Sequence, residues 1–373
     1  MWMFYFLACI PVVIGFALWL KNDKVVLWEW AAGAALAFLI AGIMHYVAFN
    51  NVTGDFETWS GRIVSATYEP AWRERYTETE TYSCGTAKEP KTCTRTVTRY
   101  ANYDENWYVT CTVNGDVDVS KEVYDLVMQK FGGTRVRAEE QWRGHVGGTC
   151  VGGDNYRYRT NNDTGFVFPT NASQSVTNYI KGAPTLFGYS KVESPKVYEY
   201  PRNPSFMQSG RLLGTASKDF TIRALDLLNE QLGPTKKVNV VIVGFDSTDS
   251  SLGHLQEAKW IGGKKNDLVI CYGNGWSYVF GWTEKDICKR NLETIFLSGA
   301  KNDGLLPLVK AEIVANYTLV DWDKFNYISV SPPTWTYVVF FILQIIVQGG
   351  FYFFAHANEY DKFNRFRQHW RRY

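Results

Sequence analysis

The cysteines are the residues of this chain whose type and spacing are best suited to chemistry, because thiolates bind zinc or attack electrophiles and paired thiols form disulfides. Cys9 lies in an apolar run near the N-terminus. The other six cysteines all fall between residues 50 and 334, namely Cys84, Cys93, Cys111, Cys150, Cys271 and Cys288. An even number of cysteines in one segment is typical of disulfides that form in an oxidising compartment.

We therefore predict sequential disulfides, which are Cys84–Cys93, Cys111–Cys150 and Cys271–Cys288. A zinc site is the alternative interpretation. No C-x-x-C pair occurs, however, and the nearest histidine, His145, stands five residues from Cys150, which is a poor match to zinc-ligand spacing. The sequence favours disulfides.

A catalytic triad can be written from Ser251, His254 and Asp246. Serine hydrolases of the α/β type hold their nucleophile in a G-x-S-x-G turn, and this chain has no such turn around Ser251. The sequence instead places His254 on the solvated face of a helix.

Three long apolar runs are the elements that must position everything else. They are Met1 to Leu20, Val25 to Phe49 with one acidic residue, and Trp335 to His356. Each is close to the ~20 residues that cross a hydrocarbon core as a helix. The first run is too poor in basic residues at its start to resemble a signal peptide, and a second run follows at once. The sequence predicts three membrane spans.

The basic residues predict how these spans are oriented. Those near the span ends lie in the loop between the first two spans and in the C-terminal tail: Lys21, Lys24, Lys362, Arg365, Arg367, Arg371 and Arg372. Lys and Arg near span ends mark the cytoplasmic side. The segment from Asn50 to Thr334 is then outside the cytoplasm, which agrees with the disulfide interpretation of its cysteines. A bacterial inner (plasma) membrane with a periplasmic or extracellular domain and a cytoplasmic C-terminus fits, as does a eukaryotic secretory membrane.

Composition limits the classes of partner. The chain has 373 residues, a formal net charge of +2 and 16% aromatic residues. A near balance of charge argues against a nucleic-acid binder driven by bulk electrostatics, and the aromatic content argues against a disordered chain. The predicted partners are the lipid bilayer and either a second copy of the chain or another membrane or extracytoplasmic protein.

The first half of the outer segment has the pattern of β-structure. Thr77 to Tyr82 and Thr92 to Arg99 alternate threonine with other residues, which predicts two strands with both faces partly wet. A Cys84–Cys93 bond would clamp the loop between them. Two interpretations stay open: a solvated ribbon, or a projecting arm that pairs with a neighbour, because isolated two-stranded ribbons are marginal alone.

The second half changes to alternating helices and strands. Val238 to Phe245 is a continuous apolar run, typical of a strand buried on both faces, and a helix ended by Gly233-Pro234 precedes it. A hairpin around Gly273-Asn274-Gly275 follows. Residues 192–206, with three prolines, are predicted to be a linker.

This order of elements resembles the TPM domain family (thylakoid, phosphatase and MOLO type) over about residues 215–315. The matching residues are Val240-Val241-Ile242-Val243, Asp246, Trp260-Ile261-Gly262, Asn266-Asp267-Leu268-Val269-Ile270 and Gly281. The resemblance implies a small α/β module that is tethered to a membrane and lies outside the cytoplasm. Some members of the family are similar to phosphatases that bind a divalent cation, and others serve in assembly.

The resemblance also implies a metal site. Asp246 and Asp267 match acidic positions at strand ends, where ligands of open α/β sheets gather, and Asp249 supplies a third oxygen for a hard cation such as calcium or magnesium. The alternative is that Asp246 and Asp249 only stabilise a strand-to-helix turn.

These observations predict an α+β membrane protein with three transmembrane helices, a disulfide-braced β-rich outer module and a small α/β TPM-like outer module. Its predicted parts are two transmembrane helices with a short cytoplasmic loop (1–49), the β-rich module (50–205), the TPM-like module (206–333), a third transmembrane helix (334–357) and a basic cytoplasmic tail (358–373). The predicted function is a membrane-anchored extracytoplasmic scaffold or interaction protein that self-assembles. The alternative is a cation-dependent phosphatase-like enzyme of the outer, periplasmic face.

Overall fold

The structure is a computed structural model that describes residues 2–21, 27–86, 89, 91–140, 144–189 and 194–370. Among the orienting basic residues, Lys24, Arg371 and Arg372 lie outside the described residues. The side chains of Lys21, Lys362, Arg365 and Arg367 lie outside that description as well. The described chain is mixed α/β, as the residue patterns of its outer segment predict.

The chain begins with two apolar helices, α1 (Met3–Lys21) and α2 (Leu27–Thr53). The first strand, β1 (Gly54–Glu69), follows α2 without a loop. Thr53 closes the helix by donating its hydroxyl to the Phe49 carbonyl at 2.7 Å. The β-rich module is therefore joined directly to the end of α2.

The β-rich module contains two sheets. Its further elements are β2 (Trp72–Ser83), β3 (Thr92–Tyr103), β4 (Asn106–Cys111), β5 (Gly115–Asp118), α3 (Lys121–Lys130), β6 (Val136–Glu140), β7 (Thr149–Gly153), β8 (Tyr156–Asn161), β9 (Pro169–Thr177) and α4 (Tyr179–Gly182). The first sheet has the order β5-β4-β1-β8-β6, with β9 also paired to β1, and the second has the order β3-β2-β7. Helix α3 packs Tyr124 and Val127 against the first sheet, and its N-cap is Ser120, whose side chain accepts from the Val123 N–H.

The second module is a four-stranded sheet covered by helices. Its elements are β10 (Leu212–Gly214), α5 (Ala216–Asp219), α6 (Ile222–Lys236), β11 (Asn239–Gly244), α7 (Ser251–Trp260), β12 (Asp267–Gly273), β13 (Trp276–Gly281), α8 (Asp286–Ser298) and α9 (Leu306–Asn316). The order is β10-β11-β12-β13, with the first three strands parallel and the last antiparallel. All six residues of β11 are buried, as the continuous apolar run predicts.

The predicted end of α6 at Gly233-Pro234 is wrong by one turn. The helix continues to Lys236 with Pro234 inside it, and because proline has no N–H, the Glu230 carbonyl loses its donor four residues along the helix. Gly233 has another role. A Cβ there would lie 2.8 Å from the Ser60 carbonyl oxygen, so glycine lets α6 approach β1 closely.

The predicted linker is also more ordered than its prolines indicate. Within it, Val197 is buried, and Tyr198 exchanges hydrogen bonds with Gln256 on α7 while its carbonyl accepts from Trp260 Nε1 at 2.9 Å. The segment therefore packs along α7 rather than spanning free space between modules.

A last helix, α10 (Thr334–Trp370), returns to pack with α1 and α2. Among the residues that the structure describes, two helical segments are long and apolar enough to cross a membrane, Trp30–Thr53 with 24 residues and Thr334–Phe354 with 21. Met3–Ala17 is a shorter apolar helix. The three helices share a core that includes Phe4, Ala37, Ala41 and Phe340.

One of the three predicted disulfides is present. Cys84 and Cys93 are bonded near the tip of the β2–β3 hairpin, with their Cα atoms 5.7 Å apart. Cys111 is buried on β4 of the first sheet, whereas Cys150 is exposed on β7 of the second, and both are free thiols. The predicted Cys111–Cys150 bond is therefore wrong.

The predicted Cys271–Cys288 bond is wrong because the two side chains lie on opposite faces of the sheet. Side chains alternate across a sheet, so Cys271 on β12 points to the opposite face from Ile270 and Tyr272. Cys288 on α8 packs on the face that holds Ile270 and Tyr272, while Cys271 packs with Val269 on the other. Burial raises the pKa of Cys288 to about 12, as expected for a structural thiol without reactivity.

Candidate interaction surface

The three predicted metal ligands are not brought together. Strands β11 and β12 are parallel, and their first residues, Asn239 and Asp267, are paired. Asp267 therefore lies at the end of the sheet where both strands begin. Asp246 follows the last residue of β11 at the opposite edge and is exposed. Among the described residues, no group of three or more His, Cys, Asp or Glu side chains is arranged to hold a metal ion.

Asp249 has a local structural role. Its Oδ1 accepts hydrogen bonds from the backbone N–H of Ser251 at 3.0 Å and from the Ser251 hydroxyl at 2.6 Å. These bonds lower the pKa of Asp249, because the Ser251 hydroxyl and N–H stabilise the charged carboxylate. Asp249 therefore stabilises the turn that follows β11, which is the alternative to metal binding that the sequence left open. The Ser251 hydroxyl is therefore directed at Asp249, while the His254 ring lies 4.2 Å from that of Tyr278.

Asp267 is the centre of a buried polar junction. Its carboxylate accepts hydrogen bonds from the Tyr200 hydroxyl at 2.9 Å, from Asn239 Nδ2 at 2.8 Å and from the Lys264 N–H at 2.9 Å. Burial raises the pKa of Asp267, although these hydrogen bonds act in the opposite direction. Arg211, only 2% exposed, donates to the Asn239 amide oxygen and so joins the same network. A carboxylate enclosed in this way has no open side for a substrate.

The candidate interaction surface is the exposed ribbon formed by β2 and β3, which we call the threonine ribbon (residues 76–100). Twelve residue pairs hold β2 and β3 in one register without a bulge, and eight of these pairs, from Tyr76–Arg99 to Ser83–Thr92, lie within the threonine ribbon. The third strand of this sheet, β7, pairs only with Trp72 to Arg75 of β2, so it does not extend along the threonine ribbon. The distal part is therefore exposed on both faces.

One face of the threonine ribbon is a ladder of hydroxyl side chains. The cross-strand pairs are Thr77–Thr98, Thr79–Thr96, Thr81–Thr94 and Ser83–Thr92. Threonine is β-branched and favours extended backbone, and Thr–Thr pairs directly across an antiparallel ladder are stabilising. All eight residues are exposed. The ladder therefore stiffens the ribbon while leaving its surface polar.

The other face carries matched charges. Arg95 contacts Glu80 at 3.0 Å, and Arg99 contacts Glu78 at 2.7 Å as well as Glu80. The hydrogen bond from Arg95 is the main reason that the pKa of Glu80 is lowered. Exposed ion pairs contribute little free energy, so this charge match favours the observed register only modestly.

The base of the ribbon is held by a buried glutamate that the sequence analysis missed. Glu74 is 1% exposed and accepts from the His145 N–H at 2.7 Å and from the Tyr103 hydroxyl at 2.9 Å. His145 also places Nδ1 at 3.1 Å from Glu74 and stacks on Tyr76 with ring centres 3.5 Å apart. The glycines around His145 are the sequence feature that could have indicated this contact. A Cβ on Gly148 would lie 1.7 Å from the Glu74 carboxylate, so the loop needs glycine to close over it.

The charge on Glu74 predicts how the base of the ribbon responds to acid. Burial alone would raise its pKa, but the hydrogen bonds from His145 and Tyr103 outweigh burial and hold the pKa below the usual 4.5. A group with a lowered folded-state pKa contributes stability above its unfolded pKa, and that stability is lost as the pH falls through the folded pKa. We therefore expect thermal stability to fall below about pH 4.5 more steeply in the native protein than in Glu74→Gln. Identical pH profiles for the two proteins would contradict this role for Glu74.

Comparisons with protein-family models, with curated proteins and with solved structures gave no match for this chain. The resemblance to TPM domains stays a prediction from the residues that carry it.

Proposed function

We propose that this chain is a membrane-anchored interaction protein that presents the threonine ribbon outside the cytoplasm as an assembly element. In this proposal α1, α2 and α10 are three membrane spans, and both folded modules lie on the outer side. The α/β module is proposed to be TPM-like and to serve as a support rather than as a catalyst.

The packing of the apolar helices supports the anchoring part of the proposal. Helix α1 has 19 residues and shares a core with the two longer apolar helices. The Trp30 indole of α2 donates to the Val12 carbonyl of α1 at 3.1 Å. Polar side chains of α10 likewise donate to carbonyls of α2, Gln344 to Ala37 and Gln348 to Gly33. Hydrogen bonds between helices are how polar groups are accommodated in hydrocarbon.

The element order of the α/β module supports the TPM-like part. Helix α6, buried strand β11, helix α7 and the β12–β13 hairpin follow one another as in the resemblance. The separation of Asp246 from Asp267 argues against the cation-dependent phosphatase, and we do not propose that activity.

The observation that carries the proposed function is the exposed distal half of the threonine ribbon. An isolated two-stranded ribbon is marginally stable in water, so a long one that packs on nothing else needs other support. Here a disulfide clamps the tip and buried Glu74 holds the base. A ribbon that is held rigid at both ends does not help the rest of the fold to pack. Rigidity does lower the entropy cost of binding a partner, which is what a binding element needs.

The test removes the clamp at the tip. We expect the double substitution Cys84→Ser and Cys93→Ser to loosen the ribbon and abolish assembly with the partner, while insertion into the membrane is unchanged. Assembly is measured as the mass of the full-length protein captured gently from its own membrane. Cys150→Ser is the matched control, because that cysteine is exposed and unpaired. Unaltered assembly of the double variant would refute a role for the ribbon.

A further inference from the structure

Strand β3 is an edge strand along its whole length. It pairs with β2 on one side, and no strand among the described residues lies on its other side. An edge of this kind leaves a row of backbone N–H and C=O groups ready to pair with another chain.

The hydrogen-bonding pattern between β2 and β3 determines which residues of β3 direct their backbone groups away from β2. The Cys84 N–H donates to the Lys91 carbonyl at 3.0 Å, which marks Cys84 and Lys91 as a bonded pair. Bonded and non-bonded pairs alternate along an antiparallel ladder. The odd-numbered residues of β3 therefore direct their backbone groups to β2. The even-numbered ones, Thr92, Thr94, Thr96, Thr98 and Tyr100, direct theirs outward.

Strand β3 has none of the usual protection of an edge. Natural edges carry proline, lysine, bulges or inward charges that prevent pairing. From Thr92 to Tyr103 the chain has no proline and no lysine, and its register with β2 contains no bulge. Its two charged residues, Arg95 and Arg99, are paired with Glu78 and Glu80 of β2. The edge is thus long, regular and rich in a strong β-former.

We propose that β3 pairs antiparallel with β3 of a second copy of this chain, centred on Thr96. The proposal rests on the proposed function of the ribbon and names its partner. Pairing around Thr96 places Thr94 opposite Thr98 and Arg95 opposite Val97. The two ladders of threonine then form one continuous face across four strands.

The charges distinguish this register from its neighbours. Only outward-facing residues can form bonded pairs, so the register shifts in steps of two residues. A shift that pairs Thr94 with Thr96 sets Arg95 against Arg95, and one that pairs Thr96 with Thr98 sets Arg95 against Arg99. Like charges directly opposite each other are destabilising. The edge is complementary to itself in the Thr96 register, and two copies tethered to one membrane meet at a raised effective concentration.

The first test uses a proline that blocks only the outer edge. Thr96→Pro removes an N–H that points away from β2, and edge strands accept proline at such positions, so the hairpin is expected to persist. We expect the full-length protein, captured gently from its membrane, to be dimeric in the native form and in Thr96→Val, which keeps the N–H and the branched side chain. We expect Thr96→Pro to be monomeric. A Thr96→Pro protein that stays dimeric, or a native protein that is monomeric, would overturn the proposal.

The second test is a crosslink that does not depend on how proline affects folding. In a bonded antiparallel pair the Cα atoms are about 5.5 Å apart, within the range that a disulfide spans. We expect Thr96→Cys to form a dimer across the twofold axis. Thr79→Cys is the matched control, because Thr79 faces Thr96 on the same surface but belongs to β2. Crosslinking of Thr79→Cys in place of Thr96→Cys would overturn pairing through β3.

The two proposals fail separately. If the Cys84→Ser, Cys93→Ser protein loses assembly while Thr96→Pro keeps it, the ribbon acts through a face and the β3 edge is refuted. If both variants assemble normally, the function proposed for the ribbon is refuted as well.

Discussion

Replacing Arg211 by methionine is expected to lower the free energy of unfolding by about 3–5 kcal/mol, the usual cost of removing one partner from a buried ion pair. Arg211 is 2% exposed, and its guanidinium donates to Asp226 at 2.9 Å, to Asn239 at 2.7 Å and to Ser60 at 2.6 Å. Methionine fills a similar volume but satisfies none of these acceptors. The Asp226 carboxylate would then remain buried without its cation.

The measurement is denaturant unfolding of the full-length protein in detergent micelles. The control is the double variant Arg211→Met, Asp226→Leu, which removes both charges and is expected to recover part of the loss, because a buried pair replaced by apolar residues is often neutral. If the single and double variants lose the same stability, an uncompensated charge is not the cause.

The effect is expected to reach both modules because this junction joins them. Ser60 belongs to β1, while Arg211 and Asp226 belong to the α/β module. Nearby, Asn266 donates its side-chain amide to the Thr58 carbonyl at 2.7 Å, and Lys264 contacts Asp55 at 2.7 Å. Strand β1 is therefore anchored to the second module by polar groups, which hydropathy patterns do not reveal.

The sequence predicted local features well, because their causes are local. The alternation of threonine with other residues predicted both strands of the ribbon. The Cys84–Cys93 bond is confirmed as well, since the two cysteines flank one hairpin loop.

Predictions from the sequence were wrong where the outcome depends on the direction of a strand or on the face of a sheet to which a side chain points. Asp246 and Asp267 both adjoin strands, but one follows its strand and the other begins its strand, so a parallel pair holds them apart. Cys271 and Cys288 are close in sequence, yet strand parity directs them to different cores. Glu74 could not be distinguished from the other glutamates of β2, because its partner His145 is 71 residues away.

A tyrosine packs between two glycines in the bundle of apolar helices. Cβ atoms added to Gly15 of α1 and Gly33 of α2 would lie 2.1 Å and 2.8 Å from the Tyr352 hydroxyl oxygen of α10. Small residues let helix backbones approach closely in a membrane, where apolar burial gives no advantage over lipid. Gly33 also supplies the carbonyl that accepts from Gln348 Nε2 at 3.0 Å. One position of α2 therefore controls both the packing and a hydrogen bond of α10.

Gly33→Leu is accordingly expected to separate α10 from α2 and to lower stability by about 1–3 kcal/mol through overpacking, with roughly 0.6 kcal/mol more for each interhelical hydrogen bond lost. The measurement is thermal unfolding in detergent micelles. The matched control is Gly42→Leu on the same helix, where an added Cβ has no neighbour within 4 Å. Both substitutions gain the same helix propensity, so their difference isolates the contact with Tyr352. Equal midpoints for the two variants would show that α10 does not depend on this glycine. A lowered midpoint confined to Gly33→Leu would support α10 as a packed third span of the proposed anchor.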